Sequence, residues 1–231
     1  MLFPHAAPDK DLSRSIQLTV VPSAGAAGNF VAPLSALSPN AFKAVVDIDT
    51  LGTFNTIKAT IPHLVSSAAR HPGSGGRFLA VSATFHYTGM PLQSHVSAAK
   101  AAVDSLTASV ALEYGPLGVT ANVIAPGAID NTEGMARLGS SAMAKEKDTA
   151  RGIPMQRWGT VKDIADATVY LFSDAGSYVS GTNLVVDGAA WRRQGGSMGV
   201  GLDPGMEYPN YLLKGEFSRN LKDGRADKAK L

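Results

Sequence analysis

The sequence predicts a three-layer, Rossmann-like α/β sandwich around a mostly parallel sheet, and three observations carry that prediction. Between Leu92 and Pro126 a helical pattern runs through a short turn into a buried strand. Alanine, leucine and valine recur at helical spacing from Val96 to Leu112, Gly115, Pro116 and Gly118 stop the helix, and Val119, Ala121, Val123 and Ile124 follow as an apolar run. Ser38-Pro39 announces a second long helix, with serine as N-cap and proline at the first helical position. Short β-branched or aromatic runs at Ile16 to Val21, Phe78 to Ser82 and Leu184 to Val186 supply further strands.

Taken in order, residues 1–15 are unplaced, broken by Pro4 and Pro8. After the first strand, Ser23 to Asn29 is a loop of small residues. It is either a plain strand-to-helix turn or a place where a flat cofactor approaches the backbone. The helix from Ser38 is predicted to run to about Ala69, with Pro62 kinking it or thinning its hydrogen-bond ladder. Asp47 and Asp49 stand in its apolar surroundings, Asp47 as a solvated or capping carboxylate. His71 to Arg77 reads as a flexible loop before the strand at Phe78. Ala83 to Pro91 is a mobile connection whose His86 and Tyr87 are exposed or, alternatively, able to move a proton. His95, at the start of the next helix, is a further, lesser candidate for the same proton transfer. Lys100, in an alanine-rich apolar stretch, either snorkels to water or has a partner. Thr132 and Glu133 lead a short helix through Leu138, Ala142 to Arg151 form another, and Thr160 caps a helix running to Phe172. Asp187-Gly188 turns out of the last strand.

Composition bounds the function. The chain has 231 residues, 45% of them apolar, enough for one well-filled core. Lys+Arg 21 against Asp+Glu 19 leaves no polyelectrolyte character, which argues against a nucleic-acid partner. Cys 0 excludes disulfides, thiolate metal sites and a cysteine nucleophile. No apolar run approaches membrane-spanning length, and Met1 to Ser15 has neither the basic start nor the apolar core of a secretion signal.

The ordered series A-A-K-A-A, E-Y-G-P-L-G-V-T-A-N-V-I-A-P-G and Thr132 resembles the second half of a short-chain dehydrogenase/reductase, in which a helix carries Y-x-x-x-K and the next strand ends in P-G. Here Val96 stands four residues before Lys100, and Ala83 stands where that superfamily carries a serine. The peroxisomal 2,4-dienoyl-CoA reductases lack both hydroxyls. They are also similar at A-A-G-N-F (Ala26 to Phe30), N-A-F-K (Asn40 to Lys43), D-I-D-T-x-G-T-F-N (Asp47 to Asn55), T-E-G-x-x-R-L-G (Thr132 to Gly139) and L-V-V-D-G-x-x-W (Leu184 to Trp191). On these segments the chain is identified as a member of that family from about Val20 onward.

The resemblance implies NADPH-dependent reduction of 2,4-dienoyl-CoA in the peroxisomal β-oxidation of unsaturated fatty acids. It implies Asp49 and Lys100 as catalytic residues, Asp49 replacing the usual asparagine. Ala27, Gly28, Lys100, Pro126, Gly127, Ala128, Ile129 and Thr132 are implied to bind NADPH, and Phe30, Ser38, Pro39, Asn40 and Arg137 the acyl-CoA, with no metal. The segment Ala142 to Arg151 is expected to close over the substrate between hinges at Gly139 and Gly152. A homo-oligomer is implied too, and Ala229-Lys230-Leu231, a variant of the Ser-Lys-Leu peroxisomal address, implies an import receptor as partner.

One part of the pattern is missing. No G-x-x-x-G-x-G turn precedes Ala24, so residues 16–190 are expected to form a domain without the first β-α units, its seven-stranded sheet reduced to about four and one edge exposed, followed by an extension over 191–231. The alternatives are a catalytically inactive remnant that keeps only binding or assembly and, less supported because the tyrosine is absent, a 3-oxoacyl reductase.

Overall fold

A computed structural model describes residues 18–20, 30, 32–73, 75–90, 92–132, 150 and 152–192. Its sheet has four strands in the order β1 (Leu18–Val20), β2 (Gly76–Val81), β3 (Val119–Pro126) and β4 (Asn183–Val186), all parallel. Val81 lies beside Ile124, and Ile124 beside Leu184, so the carboxyl ends of β2, β3 and β4 come out on one side.

Alternation along the strands sorts the core into two layers. Phe78, Ala80, Ala121 and Val123 meet Ile57, Ile61, Leu64 and Ala68 of α2 (Gly52–Arg70) and Val103 and Val110 of α4 (Ser94–Tyr114). Leu79 and Ile124 point to the opposite face, against Leu171, Ile164 and Ala167 of α5 (Val161–Phe172). Helices on both faces of a parallel sheet make the expected three-layer sandwich. Gly118, at φ +82°, takes the left-handed turn that lets α4 pass directly into β3.

Two local expectations are corrected. The predicted helix from Ser38 to Ala69 is not continuous: α1 (Pro39–Val46) passes through a π-helical turn, Asp47–Leu51, into α2. Such a turn inserts a residue and rotates the side chains that follow, a device that recurs at functional sites. Pro62 lies inside α2 without ending it. The second correction concerns Arg77, which belongs to β2 and is buried. Its guanidinium donates to the Leu171 and Ser173 carbonyls, each at 2.8 Å, and so satisfies the carboxyl end of α5.

The amino end of α5 is closed by a capping box, Thr160 accepting from the Asp163 amide while Asp163 accepts from the Thr160 amide. Asn122, buried in β3, donates to the Val179 carbonyl at 2.8 Å and accepts from the Thr182 amide at 3.1 Å, which fixes the approach to β4.

Candidate active site

The π-helical turn presents Asp49 inward, fully buried, towards the middle of α4. There Lys100, 8% exposed, brings its Nζ to 3.3 Å from Asp49 Oδ2 and donates to the Val81 carbonyl at 3.2 Å. The ammonium therefore does not snorkel; it sits at the carboxyl end of β2. Ser82 Nα donates to the Ile124 carbonyl at 2.8 Å, tying that end of β2 to β3. A buried carboxylate and ammonium side by side can orient a polar molecule and polarise a carbonyl oxygen.

Around the pair, the two positions predicted to have lost their hydroxyls are apolar and buried together. Val96 and Ala83 share a cluster with Val45, Phe85 and Ala99. Val96 and Ala83 themselves carry no hydroxyl, and the Ser82 hydroxyl beside Ala83 donates to the Lys100 carbonyl at 3.5 Å.

The carboxyl end of β3 makes the second wall. Gly127 donates to the Val186 carbonyl at 3.0 Å, Gly159 to Ala128 at 2.9 Å and Asp130 to Gly159 at 2.8 Å, and Ile129 bridges Gly159 as a short parallel extension. Thr132 Oγ1 donates to the Ile129 carbonyl at 2.8 Å. A β-carbon on Gly127 would lie 2.5 Å from Asp187 Cβ, so only glycine allows β3 and the end of β4 to approach this closely. Pro126, Gly127, Ala128, Ile129 and Thr132 thus lie at the carboxyl ends of parallel strands, where open α/β sheets bind their ligands.

On the third side, Ser38 caps α1 by accepting from the Ala41 amide at 3.2 Å, and Ser38, Pro39 and Asn40 remain exposed. Phe30 stacks on His95, with ring centroids 4.5 Å apart, and its carbonyl accepts from Gln93 Nε2 at 3.1 Å. Ala27, Gly28, Arg137, Gly139, the segment 142–149 and Ala229-Lys230-Leu231 lie outside the described residues.

The connection after β2 differs from the reading as an exposed, mobile loop. It folds into α3 (Phe85–Thr88), whose His86 Nε2 and Tyr87 hydroxyl lie 2.8 Å and 2.7 Å from Asp104 Oδ2. Asn183 Nδ2 donates to the same oxygen at 2.9 Å. Burial and the hydrogen bond to Asp104 hold the Tyr87 phenol well above its ordinary ionisation range. The sequence reading missed Asp104 and Asn183. The available signal was a carboxylate four residues after Lys100, on the same apolar face of α4. Among the described residues no group of three or more His, Cys, Asp or Glu side chains could hold a metal ion, and no helix is long and apolar enough to cross a membrane.

A family model described as enoyl-(acyl carrier protein) reductase matches residues 17–189. The peroxisomal 2,4-dienoyl-CoA reductase of Saccharomyces cerevisiae is 54% identical over 197 residues, which cover 85% of this chain and 62% of the yeast protein. The mouse (Mus musculus) peroxisomal 2,4-dienoyl-CoA reductase is 48% identical over 72% of this chain and 54% of its own length. This chain therefore spans between about half and two thirds of these relatives. Among solved structures, a short chain dehydrogenase from Bacillus anthracis superposes with TM-score 0.65 at 33% identity, covering 78% of this chain and 66% of the other. A gluconate 5-dehydrogenase from Burkholderia cenocepacia, solved with NADP and tartrate, gives TM-score 0.66 at 27% identity, covering 76% and 65%.

Proposed function

The chain belongs to the short-chain dehydrogenase/reductase family and groups by sequence with its peroxisomal 2,4-dienoyl-CoA reductases, and from that premise we propose that it serves the NADPH-dependent reduction of 2,4-dienoyl-CoA in peroxisomal fatty-acid oxidation. The observation that carries the reading is the buried Asp49–Lys100 pair beside the apolar Val96 and Ala83. A reductase of a carbonyl would want a phenol at Val96, whereas reduction of a conjugated thioester needs a positive field at the thioester oxygen and a mild proton donor.

The residues present fit the nicotinamide and ribose half of the cofactor. Lys100 offers an ammonium for ribose hydroxyls, and the backbone from Pro126 to Ile129 forms an edge at the carboxyl end of β3, with Thr132, Ala27 and Gly28 assigned to the same ligand. When bound, NADPH supplies the hydride that adds to the far end of the diene. Lys100 stabilises the negative charge that grows on the thioester oxygen. Asp49, held by the same ammonium, orients a water whose proton is delivered to the α-carbon. Phe30 gives the acyl chain an aromatic wall, Ser38, Pro39 and Asn40 face the remainder of the thioester, and Arg137 pairs with the anionic nucleotide.

The test follows the diene absorbance of a 2,4-dienoyl-CoA together with NADPH oxidation. Coupled loss of both, abolished by Asp49→Asn and by Lys100→Ala, is expected; normal turnover in either variant refutes the assignment. For the address, an N-terminally tagged chain is expected in peroxisomes and a chain tagged after Leu231 outside them, because the receptor reads a free carboxylate. The reverse distribution refutes it. Exposed apolar side chains on α1, the π-helical turn and α2, Phe42, Leu51 and Phe54, support self-association; a monomer by light scattering overturns that part.

A further inference from the structure

The proposed chemistry does not use the histidine in the first turn of α4. His95 is fully buried, and its ring lies on that of Phe30 with centroids 4.5 Å and planes 23° apart. Beyond a contact with the Phe30 backbone, neither ring nitrogen meets a hydrogen-bond partner among the described residues. Buried polar atoms are nearly always paired, and an unpaired one is costly, so filling space alone would be served better by an apolar side chain. Burial holds the imidazole below its ordinary ionisation, with the Phe30 backbone opposing in part, so the ring is neutral and can lie flat on a phenyl group.

The same short stretch also fixes the Phe30 backbone. Gln93 Nε2 donates to the Phe30 carbonyl at 3.1 Å, and the Ala32 amide donates to the Leu92 carbonyl at 3.1 Å. A ring contact and a carbonyl contact therefore anchor Phe30 from one end of α4, the helix that also presents Lys100. We propose that His95 is a positioning residue: its ring, together with Gln93, holds the Phe30 ring as the aromatic wall of the acyl-CoA site. The inference rests on the reading above that Phe30 lines that site.

The test is calorimetric titration of 2,4-decadienoyl-CoA into the full 231-residue chain without nicotinamide cofactor, so that no turnover occurs. An aromatic pair of this kind converts to an affinity change of about three- to tenfold. His95→Phe, which keeps a flat ring, is expected to bind like the unsubstituted chain. His95→Ala is expected to bind about three- to tenfold more weakly, and His95→Ala combined with Phe30→Ala no more weakly than Phe30→Ala alone. Unchanged affinity in His95→Ala overturns the proposal, as does a His95→Phe variant as weak as His95→Ala, which would assign the role to the ring nitrogens. Should His95→Ala fail to fold, Gln93→Leu decides: weakened binding beside an intact His95→Phe supports the anchor, and unchanged binding overturns it. Absence of acyl-CoA binding in the unsubstituted chain is a different result, which removes the Phe30 site itself.

Discussion

Replacing Lys100 by methionine keeps the aliphatic stem in place and removes only the charge, leaving Asp49 buried beside an apolar chain. At 3.3 Å and an effective dielectric of about 20, the attraction between the two charges is about 5 kcal/mol. Desolvation of both groups offsets most of it in the intact pair, so the pair itself contributes little to net stability. The single replacement is another matter. It takes the ammonium away from a fully buried carboxylate, and breaking a buried pair in this way typically costs about 3–5 kcal/mol. Since a domain of this kind is stable by about 5–15 kcal/mol, the loss should be a large part of the total. The assay is urea unfolding followed by circular dichroism, with Lys100→Met, Asp49→Leu and the double variant completing a cycle. The double variant should recover at least about 2 kcal/mol relative to the sum of the singles, because both buried charges are then gone together. A Lys100→Met variant within about 1 kcal/mol of the parent, or a double variant that simply adds the two losses, would refute the reasoning.

Arg77→Met should cost about 2–4 kcal/mol in the same unfolding assay, because two carbonyls at the end of α5 lose a charged donor in a buried place; an effect below about 0.5 kcal/mol would contradict it. In an ultraviolet pH titration the Tyr87 phenol should stay protonated past the ordinary tyrosine range, and Asp104→Asn should move its ionisation back down, since the carboxylate is one cause of the shift. An unmoved titration would count against the contact. His95 is held below its ordinary pKa of 6.5, so the folded state binds its proton later than the unfolded chain does. Its contribution to stability is therefore full above 6.5 and is lost as pH falls below that value through the folded pKa. His95→Phe should lack this part of the acid dependence, and parallel stability profiles for parent and variant would exclude it.

What could be read in advance were the features whose cause is local. The strand at Val119, the turn at Gly118 and the capped starts at Ser38 and Thr160 each rest on a few neighbouring residues, and the structure places them where the pattern does. The pairing of Asp49 with Lys100 came from a resemblance, not from spacing, because the two are remote in sequence and nothing in their neighbourhoods names the partner. Arg77 and His86 were read as loop residues, since a basic or titratable side chain near glycine or between strands ordinarily stays wet. Their partners, the end of α5 and Asp104, are supplied only by tertiary packing.

The π-helical turn is the clearest case of information that a regular helical pattern hides. From Ser38 to Ala69 the apolar spacing suits one continuous helix, on which Val45 and Asp49, four apart, would share a face. The structure keeps that pairing and buries both, Val45 against Phe85, Val96 and Ala99, and Asp49 against Lys100. The following residues meet a different surface: Thr53 and Ile57 are buried, and Ile57 packs under the sheet with Val103 and Phe78. One helix therefore serves two cores, and the wide turn at Asp47–Leu51 lies where the first gives way to the second. A side chain on that turn is fixed by both cores at once, which holds a carboxylate at a set distance from Lys100.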